Sequence, residues 1–109
     1  TSHSVIGYLF ATLAGVSKVG SVSHSGSSTD VDCGFSAGAR FVMLKRTDAT
    51  GDWYVWDSVN GIIAGNDPYH RIGLNVAQTT GTDLIDPLTG GFQISGDFTD
   101  GDYIFYAIA

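Results

Sequence analysis

The chain contains no glutamate: all eleven of its acidic residues are aspartate. Glutamate suits helices and aspartate suits turns and caps, so this bias points to strands and loops. Cysteine occurs once, at Cys33. That excludes an internal disulfide and makes the fold independent of an oxidising compartment. A lone thiol in such a chain is expected as a small buried core residue rather than a nucleophile. Basic residues are scarce, five against eleven aspartates, for a formal net charge of −6. An acidic surface repels phosphate backbones and anionic membranes, which argues against nucleic acid as a partner. No run of about eighteen apolar residues exists, so membrane insertion through a helix is not expected.

What is present fits an all-β domain. Apolar residues make up 43% of the 109 and charged residues 15%, the balance of a folded chain rather than a disordered one. Fifteen glycines and two prolines interrupt most windows long enough for a helix. Strands are expected over VIGYLFATL (residues 5–13), VSKVGSVS (16–23), residues 31–35, 41–46, 53–58, FQIS (92–95) and YIFYAIA (103–109). Gly20 is expected to mark a bulge or a close backbone approach. Between these runs lie polar, Gly- and Asp-rich turns, including HSGSST (24–29), Thr47 to Asp52, NDP (66–68) and DFTDGD (97–102). Residues 60–71 read mainly as loop, and 74–82 as a strand or an exposed loop. Short strands at roughly ten-residue spacing predict a β-sandwich, jelly-roll-like, of short antiparallel strands, with residues 1–109 as a single module. Tyr8-Leu9-Phe10-Ala11 echoes the closing YIFYA, so both are read as central strands buried on two faces; alternatively residues 5–14 are shared with a neighbouring module or subunit. An opening Thr-Ser-His, without methionine or a signal pattern, reads as a piece of a longer polypeptide.

Catalytic patterns are weak. His3, His24 and His70 have no metal-ligand spacing to one another or to Cys33, and all three are expected as ordinary exposed side chains. Asp97, Asp100 and Asp102 loosely resemble a calcium loop, but the spacing misses the EF-hand pattern and fits aspartate-capped turns better. Asp48, Asp52 and Asp57 invite a paired-carboxylate reading for glycoside cleavage, with nothing to place any two across a groove. No catalytic residue, metal site or cofactor is therefore expected. Trp53, Tyr54, Trp56 and Tyr69 raise glycan binding, since sugar rings stack on flat aromatic faces. Alternation along a strand sends Trp53 and Trp56 to opposite faces, so at least one belongs to the core. Tyr69 is the aromatic expected to be exposed.

The segments KRTDATGDWYVWDS, GIIAGNDPY, TGTDLIDPLTGGFQI and YIFYAIA, in that order and preceded by GYLFATLAGVSKVGS, cover nearly the whole chain. Together they resemble a family of tail-associated virion proteins of tailed bacteriophages, notably phages of marine bacteria and cyanobacteria. The resemblance implies a β-sandwich module of a tail-fibre or adhesin-like polypeptide, located in the virion tail after assembly in the bacterial cytoplasm. It implies a homotrimer among other virion proteins, and no transferable catalytic residue. His70-Arg71-Ile72-Gly73 stands where the family continues NDPY with apolar residues, and SGDFTDGDY is shorter than the family's equivalent. Both departures fall in loops, where specificity can vary on a fixed scaffold. The expected function is thus non-enzymatic host attachment through surface glycan. Asn66, Asp67, Tyr69, His70 and Arg71 in one loop, and Asp97, Asp100 and Asp102 in another, are the expected ligand-binding residues, made effective by avidity. The alternatives are a structural spacer or oligomerisation domain of the virion and, third, a polysaccharide-degrading enzyme.

Overall fold

The computed structural model describes residues 2–109. It contains eight strands: β1 Ser17–His24, β2 Thr29–Asp32, β3 Phe41–Arg46, β4 Trp53–Asp57, β5 His70–Ile72, β6 Ile85–Leu88, β7 Gly91–Ile94 and β8 Gly101–Ile108. They form a five-stranded sheet in the order β1-β8-β3-β4-β5 and a three-stranded sheet in the order β2-β7-β6, with every pair antiparallel. The all-β, sandwich-like architecture is the one expected. The central hairpin also holds, with Met43 opposite Val55 and Leu44 opposite Tyr54.

The core follows from alternation. Val42 and Leu44 of β3, Trp56 of β4, and Tyr103, Phe105 and Ala107 of β8 are buried on one face of the larger sheet. Val31, Phe92, Ile94 and Ile85 answer from the smaller sheet, and the Phe92 ring meets Phe105 edge-on at 5.5 Å between centroids. Each such side chain, once fully buried, contributes about 1.5–3 kcal/mol. Trp56 is wholly buried and Trp53 is 40% exposed, so the hairpin does split its tryptophans between core and outside. Cys33 is buried, and its thiol is pushed up to about 11, chiefly by burial and then by the Asp32 charge. Such a thiol is packing material at neutral pH.

Several expectations are corrected. Residues 5–13 form no strand; Val5, Ile6, Tyr8 and Leu9 are exposed, and only a bridge between Leu13 and Ser17 follows them. The echo with β8 is therefore one of composition, not of position. β8 itself is central, between β1 and β3, but buries one face only: Ile104 is 42% exposed. Two short strands fall where loop signals dominated. β5 pairs with β4, and β6 includes Pro87, which the ladder tolerates because β6 is an edge strand. Gly20 marks no bulge, since the β1–β8 register runs unbroken. Its missing side chain makes room for the Phe105 ring, whose Cζ would lie 2.9 Å from a Cβ at that position.

Gly91 is more constrained than Gly20. A Cβ there would stand 2.1 Å from the Val31 carbonyl oxygen and 3.0 Å from the Cys33 nitrogen, both backbone atoms of the adjacent chain segment. Gly91→Ala is expected to destabilise the fold by about 3 kcal/mol or more, whereas Gly20→Ala, which displaces only a ring, costs about 1 kcal/mol. Denaturant unfolding of the two variants checks the ranking.

Candidate functional site

The two loops expected to bind ligand are both anchored by their aromatic residues, which point inward. Tyr69 is only 8% exposed; its ring lies 5.2 Å from Tyr54 and 5.6 Å from Trp56. Phe98, in the other loop, lies 5.3 Å from Tyr54, 6.1 Å from Trp56 and 5.1 Å from Tyr103. Tyr54, Trp56, Tyr69, Phe98 and Tyr103 thus make one aromatic cluster that fastens both loops to the core. The expectation of an exposed Tyr69 is overturned. Burying an aromatic ring recovers more free energy than leaving it in water for an occasional ligand, and a neighbouring tyrosine and tryptophan supply the surface.

Asp67 is also buried, with no exposed area at all. Its Oδ2 accepts the Ile63 N–H at 2.7 Å, and its own N–H donates to the Thr82 carbonyl at 2.9 Å. Oδ1 has no partner. Burial, opposed by the Ile63 bond and reinforced by the charges of Asp83 and Asp86, pushes the carboxyl up to about 6. A carboxyl near neutrality resembles a general acid, but Asp67 lines none of the grooves described below. It is a brace inside the 61–69 loop, not a ligand contact.

The remaining expected ligand residues are spread out: His70 and Arg71 lie on β5 and Asp102 on β8 rather than in loops, while Asn66, Asp97 and Asp100 are loop residues. Asn66 and His70 are exposed, and His70 Nε2 lies 3.3 Å from the Gln78 side-chain nitrogen. Arg71 is half-buried, with Nη1 3.4 Å from Asp52 Oδ2. Asp97, Asp100 and Asp102 are exposed, and two of their carboxylates are engaged in local bonds. Asp100 accepts from the Gly26 N–H at 2.8 Å, and Asp102 accepts from the Ser23 hydroxyl at 2.5 Å. These are turn-capping contacts that tie the start of β8 to the end of β1. Among the described residues, no group of three or more His, Cys, Asp or Glu is placed to hold a metal ion. The Asp48, Asp52 and Asp57 trio is separately engaged, with Arg46, Arg71 and Asn60 respectively. Asp48 and Asp57 are held below the usual carboxylate range by those bonds, opposite to what a general acid needs.

His24 corrects the expectation of an exposed histidine. It is 2% exposed, with Nδ1 2.8 Å from the Thr29 hydroxyl and Nε2 3.2 Å from the Phe98 carbonyl. A carbonyl can only accept, so Nε2 carries the proton donated to it. The imidazole joins β1, β2 and the Phe98 loop, and is structural.

The feature that sequence reading missed lies on the outer face of the five-stranded sheet. Register places Val19, Tyr106, Met43 and Val55 in one row across β1, β8, β3 and β4, and Ser21, Ile104, Lys45 and Trp53 in the next. Val19, Tyr106, Met43, Ile104 and Trp53, with Tyr8 and Phe10, border a groove of about 370 Å3. Phe10 stacks on Tyr106 at 4.3 Å between ring centroids. No carboxylate, amide or cation borders the groove. The sequence signal was present in YIFYAI, apolar at both parities, where a strand with one wet face would alternate.

Removing the buried charge of Asp67 tests its role. Because its folded pKa is raised, the protonated form is favoured by folding, and that contribution is lost as pH rises from about 4 to about 6. Asp67→Asn keeps an acceptor for Ile63 and carries no charge. It is expected to be more stable than the wild type at pH 7–8 by on the order of 1 kcal/mol, after allowance for solvent screening, and equal to it near pH 4. Thermal unfolding across that range checks the sign. Tyr69→Ala is expected to cost about 3 kcal/mol or more at any pH, through the cavity left in the aromatic cluster.

No curated protein and no solved structure matches this chain. The model of one family, described as a domain of unknown function (DUF7483), matches residues 1–109, and the chain belongs to that family.

Proposed function

We propose that this chain is a non-catalytic assembly module, one of several copies packed side by side in a larger particle, of the tail-virion kind that its sequence resembles. The observation that carries this reading is the apolar outer face of the five-stranded sheet. Trp53 is 40%, Ile104 42% and Ile72 53% exposed there. Contiguous apolar surface on a strongly acidic protein marks a contact with another macromolecule. A glycan site would need carboxylates or amides beside its aromatic rings to receive sugar hydroxyls, and the lining of this groove offers only tyrosine hydroxyls and the Trp53 indole N–H among polar side-chain groups. Protein packing is the chemistry that fits.

Host attachment through glycan is the second reading, and burial narrows its residues. With Asp67 and Tyr69 inside, contact with a sugar falls to Asn66, His70, Arg71, Asp97, Asp100 and Asp102, displayed in several copies. In this role the loops add recognition to an assembly held together elsewhere. The two readings separate in parallel measurements. Sedimentation from about 1 to 100 µM is expected to show concentration-dependent self-association. A glycan array probed with the same protein is expected to stay silent; a signal abolished by His70→Ala or Arg71→Ala would instead make attachment the primary role.

A further inference from the structure

Resting on the assembly reading, we infer that the N-terminal arm of one copy packs on the outer face of the five-stranded sheet of a second copy, reciprocally. Residues 5–10 carry Val5, Ile6, Tyr8 and Leu9 at 80–98% exposure, and Phe10 at 51%. Residues 2–10 make no backbone hydrogen bond within the described chain. The arm meets its own sheet through Tyr8, which borders the groove, and through residues 10–13. Phe10 stacks on Tyr106, the Ser17 hydroxyl donates to the Ala11 carbonyl at 2.8 Å, and Thr12 Oγ1 accepts the Val19 N–H at 3.2 Å. Residues 5–9 belong to no strand, and Val5, Ile6 and Leu9 touch no other described element.

The occupant of the face is a second copy for three reasons. First, the chemistry is already matched within one chain, because the Phe10–Tyr106 stack joins this arm to this face. Second, one chain cannot satisfy both. In an extended segment Tyr8 and Phe10 fall on one side and Leu9 on the other. With Tyr8 and Phe10 bordering the groove, Leu9 is left 98% exposed. Third, charge selects the surface. Each copy carries −6, so two copies repel wherever aspartates meet. Residues 4–17 contain no charged side chain, Val19, Tyr106, Met43 and Val55 carry none, and the one charge between Ile104 and Trp53 is the cation Lys45, which does not repel an acidic copy. These are surfaces on which two acidic copies can approach closely. Length is sufficient: nine extended residues reach about 30 Å, while five strands about 4.8 Å apart span about 20 Å. A two-fold arrangement uses both arms and both faces and closes without leaving either free.

Leu9→Asp and Ile104→Lys test the contact from its two sides. Leu9 is 98% exposed, so its substitution leaves the monomer's unfolding curve in place while charging the arm. Each variant alone is expected to raise the dissociation constant of self-association at least about tenfold, from the burial lost and the charge introduced. Mixing the two is expected to recover association, because one arm–face contact in the mixed pair is wild type on both sides and the other sets Asp against Lys. Recovery on mixing requires that the arm act in trans. Wild-type association that Leu9→Asp leaves unchanged overturns the arm contact while leaving the assembly reading intact. A wild type that stays monomeric up to about 100 µM overturns both.

Discussion

The placement of β8 between β1 and β3 is the constraint on which the rest of the structure depends. Its register runs unbroken on both sides, from Gly101 opposite His24 to Ile108 opposite both Ser17 and Phe41. One parity of the strand, Tyr103, Phe105 and Ala107, fills the core; the other, Ile104, Tyr106 and Ile108, makes the centre of the outer face. A register slip of one residue would exchange the two sets. The slip is opposed by Gly20, which alone in β1 lacks the side chain that would collide with the Phe105 ring. Since β8 pairs with the first and third strands, the large sheet cannot close until the end of the chain is in place, and such non-local pairing is slow to form.

From β8 the aromatic cluster extends to the loops. Tyr103 meets Phe98, Phe98 meets Tyr54 and Trp56, and both of those meet Tyr69. The loops are therefore fixed from within, and their polar residues are left to satisfy one another: Asp100 with Gly26, Asp102 with Ser23, His24 with Thr29 and the Phe98 carbonyl. Asp67 is the exception. Its buried carboxyl braces the loop through Ile63 yet leaves one oxygen without a partner, and burial, reinforced by the charges of Asp83 and Asp86, holds its proton to higher pH.

The legible and illegible parts of the fold divide by the range of the interactions that set them. Alternation is local, so the central hairpin, the opposite faces of Trp53 and Trp56, and the interior place of Cys33 were readable from the residues themselves. Burial of a loop residue is not local. Nothing near Tyr69 in sequence reveals that Tyr54 and Trp56 wait beneath it, and an Asn-Asp-Pro turn reads as surface whether or not its aspartate is inside. His24 failed for the same reason: its partners Thr29 and Phe98 lie five and 74 residues away. Residues 5–13 differ again: they form no strand within the described chain, which overturns the first of the two readings given to them and leaves the second, a segment shared with a neighbouring module or subunit. Their composition is that of a strand, and composition cannot say whether a partner strand exists in the same chain. β5 and β6 were missed because three or four residues carry too little pattern to outweigh a neighbouring proline.

The exposed arm and the apolar sheet face acquire a common explanation once charge is considered. A net charge of −6 over 109 residues opposes indiscriminate association. On the outer face Asp57 and Asp102 lie in rows beyond the groove, whereas Lys45 stands between Ile104 and Trp53 and His70 follows Val55 at the end of its row. An apolar patch on a neutral protein would favour aggregation in any orientation. On an acidic protein most encounters are repelled, and the free energy of burial is realised only where uncharged surface meets uncharged surface. The scarcity of basic residues sharpens this selection. With five cations against eleven aspartates, few salt bridges are available to stabilise a wrong docking. In the proposed assembly, electrostatics sets where copies do not touch, and the outer face of β8 with its neighbours is the surface left for them to share.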